Sequence, residues 1–166
     1  MLDGLQSGTA QDKYEYVIID CPPNFNIVTK TAITASDSIL VPAIPDYLST
    51  LGIEELQRHI GELINDFNGF AEQLSEPSYD KIAPIIRGVI PTMVQIYSGR
   101  PISTQREYIN RIKRTGLPVF DNFVRRNNPI FSDAPQYGVP VVLYGNDPRG
   151  IRNELERLAT EFLAKV

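Results

Sequence analysis

The run Tyr16-Val17-Ile18-Ile19 limits what this chain can fold into more than any other feature. It is short, apolar and β-branched, the pattern of a strand buried on both faces. It stops at Asp20-Cys21-Pro22-Pro23, where two prolines lack the N–H groups that further pairing needs. A second such run, Ser38-Ile39-Leu40-Val41, is stopped by Pro42 and Pro45. A third strand is expected over 85–93, with Gly88 and Pro91 as irregularities, and a weaker fourth over 119–124. Helical patterns lie between them. Residues 24–35 suit a short helix, and 49–70 an amphipathic one, because Leu56, Ile60, Leu63, Ile64 and Phe67 form one apolar stripe. Glu54 and Glu55 sit near its start, where the helix dipole favours anions. Thr104-Gln105-Arg106-Glu107 reads as a capping box opening a helix through Tyr108, Ile109 and Ile112, which Gly116 is placed to end. Asp147-Pro148 reads as the N-cap and first position of a last helix bearing Ile151, Leu155, Leu158, Phe162 and Leu163. Strands alternating with helices define an α/β fold around a parallel sheet. Residues 1–13 read as a weakly ordered lead-in, and 14–166 as the folded part.

Composition excludes several classes. With 42% hydrophobic and 22% charged residues, the chain is neither collagen-like nor wholly disordered. One cysteine, Cys21, cannot close an internal disulfide and fits a reducing cytoplasm. One cysteine and one histidine, His59, argue against a zinc site. No apolar run approaches the ~20 residues of a membrane-spanning helix, and no secretory pattern opens the sequence. The last helix balances Glu154, Glu156 and Glu161 against Arg152, Arg157 and Lys165. It lacks the cationic excess that anionic lipid selects, and so reads as a packing helix. No membrane partner is expected.

Charge is uneven along the chain. Residues 1–86 carry 4 basic and 13 acidic side chains, a net of −9. Residues 87–126 carry 8 basic and 2 acidic, a net of +6. A basic middle in an acidic chain suits an anionic partner, or else a solvated helix face.

Asp20 is the first candidate for chemistry. In open parallel sheets ligands bind beyond the carboxyl ends of the strands. A strand-end aspartate is one way that phosphate-transferring enzymes hold Mg²⁺, directly or through water. The same residue type also serves as an ordinary turn or cap.

More motifs follow at regular distances. Val17 to Pro23 matches V-I-I-D-x-P-P. Ser36-Asp37-Ser38-Ile39-Leu40-Val41-Pro42, then Tyr47 and Gly52-Ile53-Glu54-Glu55-Leu56, match the next segment of the same pattern. Gly88-Val89-Ile90-Pro91-Thr92-Met93 matches G-V-x-x-T-M. Arg126-Asn127 and Ser132-Asp133-Ala134-Pro135-Gln136-Tyr137-Gly138-Val139-Pro140-Val141 match a loop of the form R-N…S-[ED]-A-P-x-[FY]-G-x-P-V. In these motifs the chain resembles the ParA/Soj family of deviant-Walker partitioning ATPases, from about Tyr14 onward. The resemblance implies a three-layer, P-loop NTPase-like parallel sheet with flanking helices. It implies a dimeric ATPase using ATP and Mg²⁺, which binds DNA non-specifically and positions plasmids, chromosomes or other cargo, with a ParB-type adaptor as a further partner. By resemblance Asp20 holds Mg²⁺ through water, and Thr92, Met93 and the R-N loop border the adenine. Asn127 fits the R-N pair, whereas Asn128 fits the distance to Ser132. Arg125 stands where the family has a proline. The family's DNA contacts are basic, and the residues available for them are Arg106, Arg111, Lys113, Arg114, Arg125, Arg126, Arg149 and Arg152.

No G-x-x-x-x-G-K-[ST] or G-K-G-G-x-G-K-T occurs in these residues. A phosphate cradle needs backbone N–H groups at a helix N-terminus together with a lysine charge. The expectation is therefore the later part of such an ATPase, without its N-terminal strands and P-loop, and unable to hydrolyse ATP alone. The alternative is a non-catalytic module that binds DNA or a full-length ParA-like subunit and modulates it.

Overall fold

The computed structural model describes residues 14–74, 80–129, 131, 138–143 and 150–165. The chain forms two compact units, one of residues 1–37 and 59–84, the other of 38–58 and 85–166.

In the first unit, helix α1 (Ile27–Thr34) is capped by Asn26, whose side-chain oxygen accepts from the Val28 and Thr29 N–H groups. It buries Ala32 and Ile33. The Phe25 ring stacks on His59 with centroids 5.1 Å apart. Asn68 holds the Ile82 backbone in both directions, donating to its carbonyl at 2.9 Å and accepting its N–H at 2.8 Å. The expected strand at residues 16–19 does not form. This stretch is irregular, and Tyr16, Val17, Ile18 and Ile19 are all exposed. A strand persists when neighbours take up its N–H and C=O groups, and among the described residues no strand pairs with this run.

The second unit is built on strand β1 (Ser38–Ala43), which pairs in parallel with β2 (Ile85–Pro91). The register shifts between Ile39 and Leu40, where β2 carries the extra residue Arg87. The other edge of β2 carries a parallel bridge from Val89 to Val119, with Val89 N–H on Pro118 O at 2.8 Å and Phe120 N–H on Val89 O at 2.9 Å. The expected fourth strand over 119–124 is thus reduced to one isolated bridge at Val119, with a second at Arg125 just beyond it. Gly88 lies under the Phe120 ring, and a Cβ there would come within 2.7 Å of it.

Helix α2 (Tyr47–Leu74) is longer than its apolar stripe implies at both ends. Asp46 starts it, its carboxylate accepting the Ser49 N–H at 2.8 Å. Glu54 and Glu55 therefore lie beyond the first turn, and Glu55 pairs with Arg58 instead. Two short strands, β3 (Ile96–Tyr97) and β4 (Arg100–Pro101), form an antiparallel hairpin that the sequence did not signal. Its turn residues Ser98 and Gly99 both have positive φ, as type I′ turns require.

Helix α3 (Ser103–Arg114) begins one residue before the expected capping box. Its N-cap is Ile102, which makes no side-chain cap bond, and Thr104 lies inside the first turn. Gly116, at φ +85°, follows the C-cap Thr115 as expected. Helix α4 (Ile151–Leu163) is preceded by Gly150 at φ +70°. Asp147 and Pro148, expected to start this helix, lie outside the described residues. The core of this unit joins Val41 and Ala43 of β1, Ile53 of α2, Val89 of β2, Ile112 of α3, and Leu117 and Val119.

Candidate functional site

β1 and β2 run in the same direction, so their carboxyl ends, Ala43 and Pro91, lie side by side. The chain leaving β2 forms a corner there. Thr92 N–H donates to Ala43 O at 2.8 Å, so Thr92 is tied to the end of the neighbouring strand. Met93 turns with φ +54°, a left-handed conformation that costs a non-glycine residue roughly 1–2 kcal/mol. Val94, fully buried, then bridges in parallel to Arg125. Val94 N–H donates to Val124 O at 3.1 Å, and Arg126 N–H donates to Val94 O at 2.8 Å.

These bonds bring together two segments far apart in sequence. Thr92 and Met93 immediately precede the bridge on one side, and Asn127 follows shortly after it on the other. Asn127 is 5% exposed, whereas Asn128 is exposed. The two segments assigned by resemblance to the adenine edge are therefore hydrogen-bonded neighbours at the carboxyl end of β2. Asp20 belongs to the first unit and is exposed. Ser132–Tyr137 of the loop motif lie outside the described residues.

Three residues that sequence reasoning missed hold this corner or the segment 121–125 that leads into it. Gln105 of α3 accepts the Gln95 N–H at 2.7 Å and reaches the Met93 carbonyl at 3.5 Å. Glu154 of α4 accepts the Arg125 N–H at 2.8 Å and pairs with its Nε at 3.1 Å. Glu161, two turns along the same helix, accepts Asp121 N–H and Asn122 N–H, both at 2.9 Å, and Asn122 Nδ2 at 2.8 Å. Burial opposes ionisation of Glu161, but those bonds and the nearby Lys165 charge outweigh it and hold the carboxyl below its ordinary range. Gln105 had a readable signal, because it stands four and seven residues before Ile109 and Ile112, on the apolar stripe. The two glutamates had none, since acids on an amphipathic helix read as solvated.

The basic residues divide. Arg106, Arg111, Lys113 and Arg114 all sit exposed on α3. Arg111 stands over the Tyr47 ring at 6.0 Å, and Lys113 forms an exposed ion pair with Asp121 at 3.3 Å. Arg126 is exposed. Arg125 is largely engaged with Glu154, and Arg152 donates to Val142 O at 2.7 Å. Arg149 lies outside the described residues. A shallow cleft of about 210 Å³ opens beside α3, between Arg106, Lys113, Phe120 and Phe123.

A magnesium–phosphate site needs more than these residues offer. Asp20 supplies one carboxylate, and among the described residues no cluster of three or more His, Cys, Asp or Glu gathers to hold a metal. The chain also carries no glycine-rich lysine loop. The residues present do not fit a Mg²⁺–triphosphate by themselves. Among the described residues, no helix is long and apolar enough to cross a membrane.

Parallel pairing of β1 and β2 with helices around them makes this an α/β protein, an arrangement consistent with a P-loop NTPase-like fold. A family model described as an AAA domain matches residues 5–73. The chromosome partitioning protein ParA of Caulobacter vibrioides is 31% identical over 163 residues, covering 98% of this chain and 54% of the relative. The sporulation initiation inhibitor protein Soj of Bacillus subtilis is 28% identical, covering 93% and 54%. The chromosome-partitioning ATPase Soj of Treponema pallidum is 26% identical, covering 93% and 54%. The chain thus spans about half the length of the curated relatives it matches. Over that half it is similar to the ParA and Soj partitioning proteins.

Proposed function

We propose that this chain supplies the adenine-side edge and the DNA-facing helix of a ParA-like partitioning ATPase, on a three-layer sheet. The observation that carries this is the corner at the end of β2. Thr92 and Met93 are hydrogen-bonded through Val94 to the segment that runs into Asn127. The exposed cations of α3 follow directly in sequence. Of the two asparagines, the buried Asn127 suits a fixed role at the edge better than the exposed Asn128.

Asp20 is assigned to water-mediated contact with Mg²⁺, but catalysis requires a phosphate cradle that these residues do not contain. The chain alone therefore does not turn over ATP. The partners are non-specific DNA, a second ParA-like subunit and a ParB-type adaptor, in the cytoplasm at the nucleoid. The alternative of a non-catalytic modulator of a full-length ParA-like subunit is favoured by the same missing cradle.

Two measurements test this. Fluorescence anisotropy with duplexes of unrelated sequence between 50 and 300 mM salt is expected to show equal, weak affinities. The logarithm of affinity should fall linearly with the logarithm of salt, with a slope of about −0.9 per phosphate neutralised. Salt-insensitive binding would defeat the electrostatic account. Calorimetry with Mg²⁺ and ATP is expected to show no micromolar site, and such a site would overturn the claim that the phosphate cradle is lacking.

A further inference from the structure

Among the described residues the buried polar side chains are Thr50, Gln105 and Asn127. Thr50 stays within its own helix, its hydroxyl donating to Asp46 O at 2.7 Å. Gln105, 6% exposed, does not. Its amide leaves α3 and binds a different segment at two points, the Gln95 N–H at 2.7 Å and the Met93 carbonyl at 3.5 Å. It lies in the first turn of α3, ahead of Arg106, Arg111, Lys113 and Arg114.

The rest of the corner shows why this contact matters. Thr92 is held by Ala43, and Val94 by Val124 and Arg126. Gln95 O accepts the Ile102 N–H at 3.0 Å, on the hairpin side. Gln105 therefore meets the corner between its strand-side bonds and its hairpin-side bond. An apolar residue there fills the space but leaves the left-handed Met93 turn with no tie to α3 through this side chain.

We infer that Gln105 is a positioning residue that locks the corner 93–95 to α3, so that the nucleotide edge and the basic helix respond together. This rests on the partitioning-ATPase reading of those two surfaces. Gln105 acts through its bonds to Met93 and Gln95.

The test compares the native chain with Gln105→Leu, which removes both bonds, and Gln105→Glu, which keeps the acceptor for Gln95. Amide hydrogen exchange at Gln95 should quicken about five- to tenfold in Gln105→Leu, with Ile109 and Ile112 of α3 unchanged, and should return near the native rate in Gln105→Glu. The second readout is NMR with millimolar ATP as probe. In the native chain the resonances of Met93–Gln95 and of α3 should shift. In Gln105→Leu the first group should still shift while α3 falls silent. Unchanged Gln95 protection, or an α3 response that survives in Gln105→Leu, overturns the inference. If ATP shifts nothing at 93–95 in the native chain, the nucleotide-edge reading fails, while the exchange result still decides the lock. If Gln105→Leu does not fold, Gln105→Asn, one methylene shorter, breaks the same bonds and decides on the same readouts.

Discussion

Gly88 packs its bare Cα against the Phe120 ring, and Phe120 is almost fully buried. A methyl group there meets two ring carbons at 2.7 and 2.8 Å, too close for either to stay in place. Gly88→Ala should lower stability by about 1–3 kcal/mol, the usual range for overpacking a filled core, and urea denaturation measures it. A midpoint equal to native would show that the ring moves freely. Glu161 gives a second residue-level expectation. Its folded carboxyl is held below the range of the unfolded chain. The stability it contributes is therefore fully present above the unfolded value and is lost as pH falls through the folded one. Glu161→Ala should destabilise by about 2 kcal/mol at neutral pH, as expected for lost bonds to a charged group. The deficit should shrink as pH drops below about 4.5, the ordinary glutamate value. A deficit that stays constant into acid would assign the effect to packing instead.

At the scale of elements, α3 carries the most weight, because its two faces do different work. The face bearing Ile109 and Ile112 packs near the core, while Arg106, Arg111, Lys113 and Arg114 are exposed. Exposed cations with no buried ion pair are suited to releasing counterions from a phosphate backbone. Arg111→Ala and Arg114→Ala should each reduce the salt slope of DNA binding by about 1. Arg125→Ala should leave the slope unchanged, because Glu154 already engages that side chain. Equal losses for all three would mean that the ion pair opens on DNA. Much of this element plan was legible in sequence. The stripe from Leu56 to Phe67 located α2, and Gly116 located the end of α3. Two kinds of feature were not legible. Local signals were overridden by tertiary context, as at Thr104, where the helix begins one residue earlier without a side-chain cap. The corner at Met93 depends on bonds to Val124, Arg126 and Gln105, residues that no local pattern connects to it.

For the whole molecule, the run that reads most strongly as a buried strand is the one left uncovered. Ile18 is 83% exposed, and Tyr14, Tyr16, Val17 and Ile19 are exposed beside it. Apolar, β-branched residues in an exposed stretch that no strand covers among the described residues present a greasy, extended surface, the kind that recruits a second strand. The same sequence is matched by relatives about twice as long. In solution the isolated chain should therefore self-associate as concentration rises, seen as an increasing weight-average sedimentation coefficient. Ile18→Lys places a charge in the centre of the run and should abolish most of that increase without lowering the unfolding midpoint, because the side chain makes little buried contact to lose. A native chain that sediments as a concentration-independent monomer would show that this run is not a pairing surface.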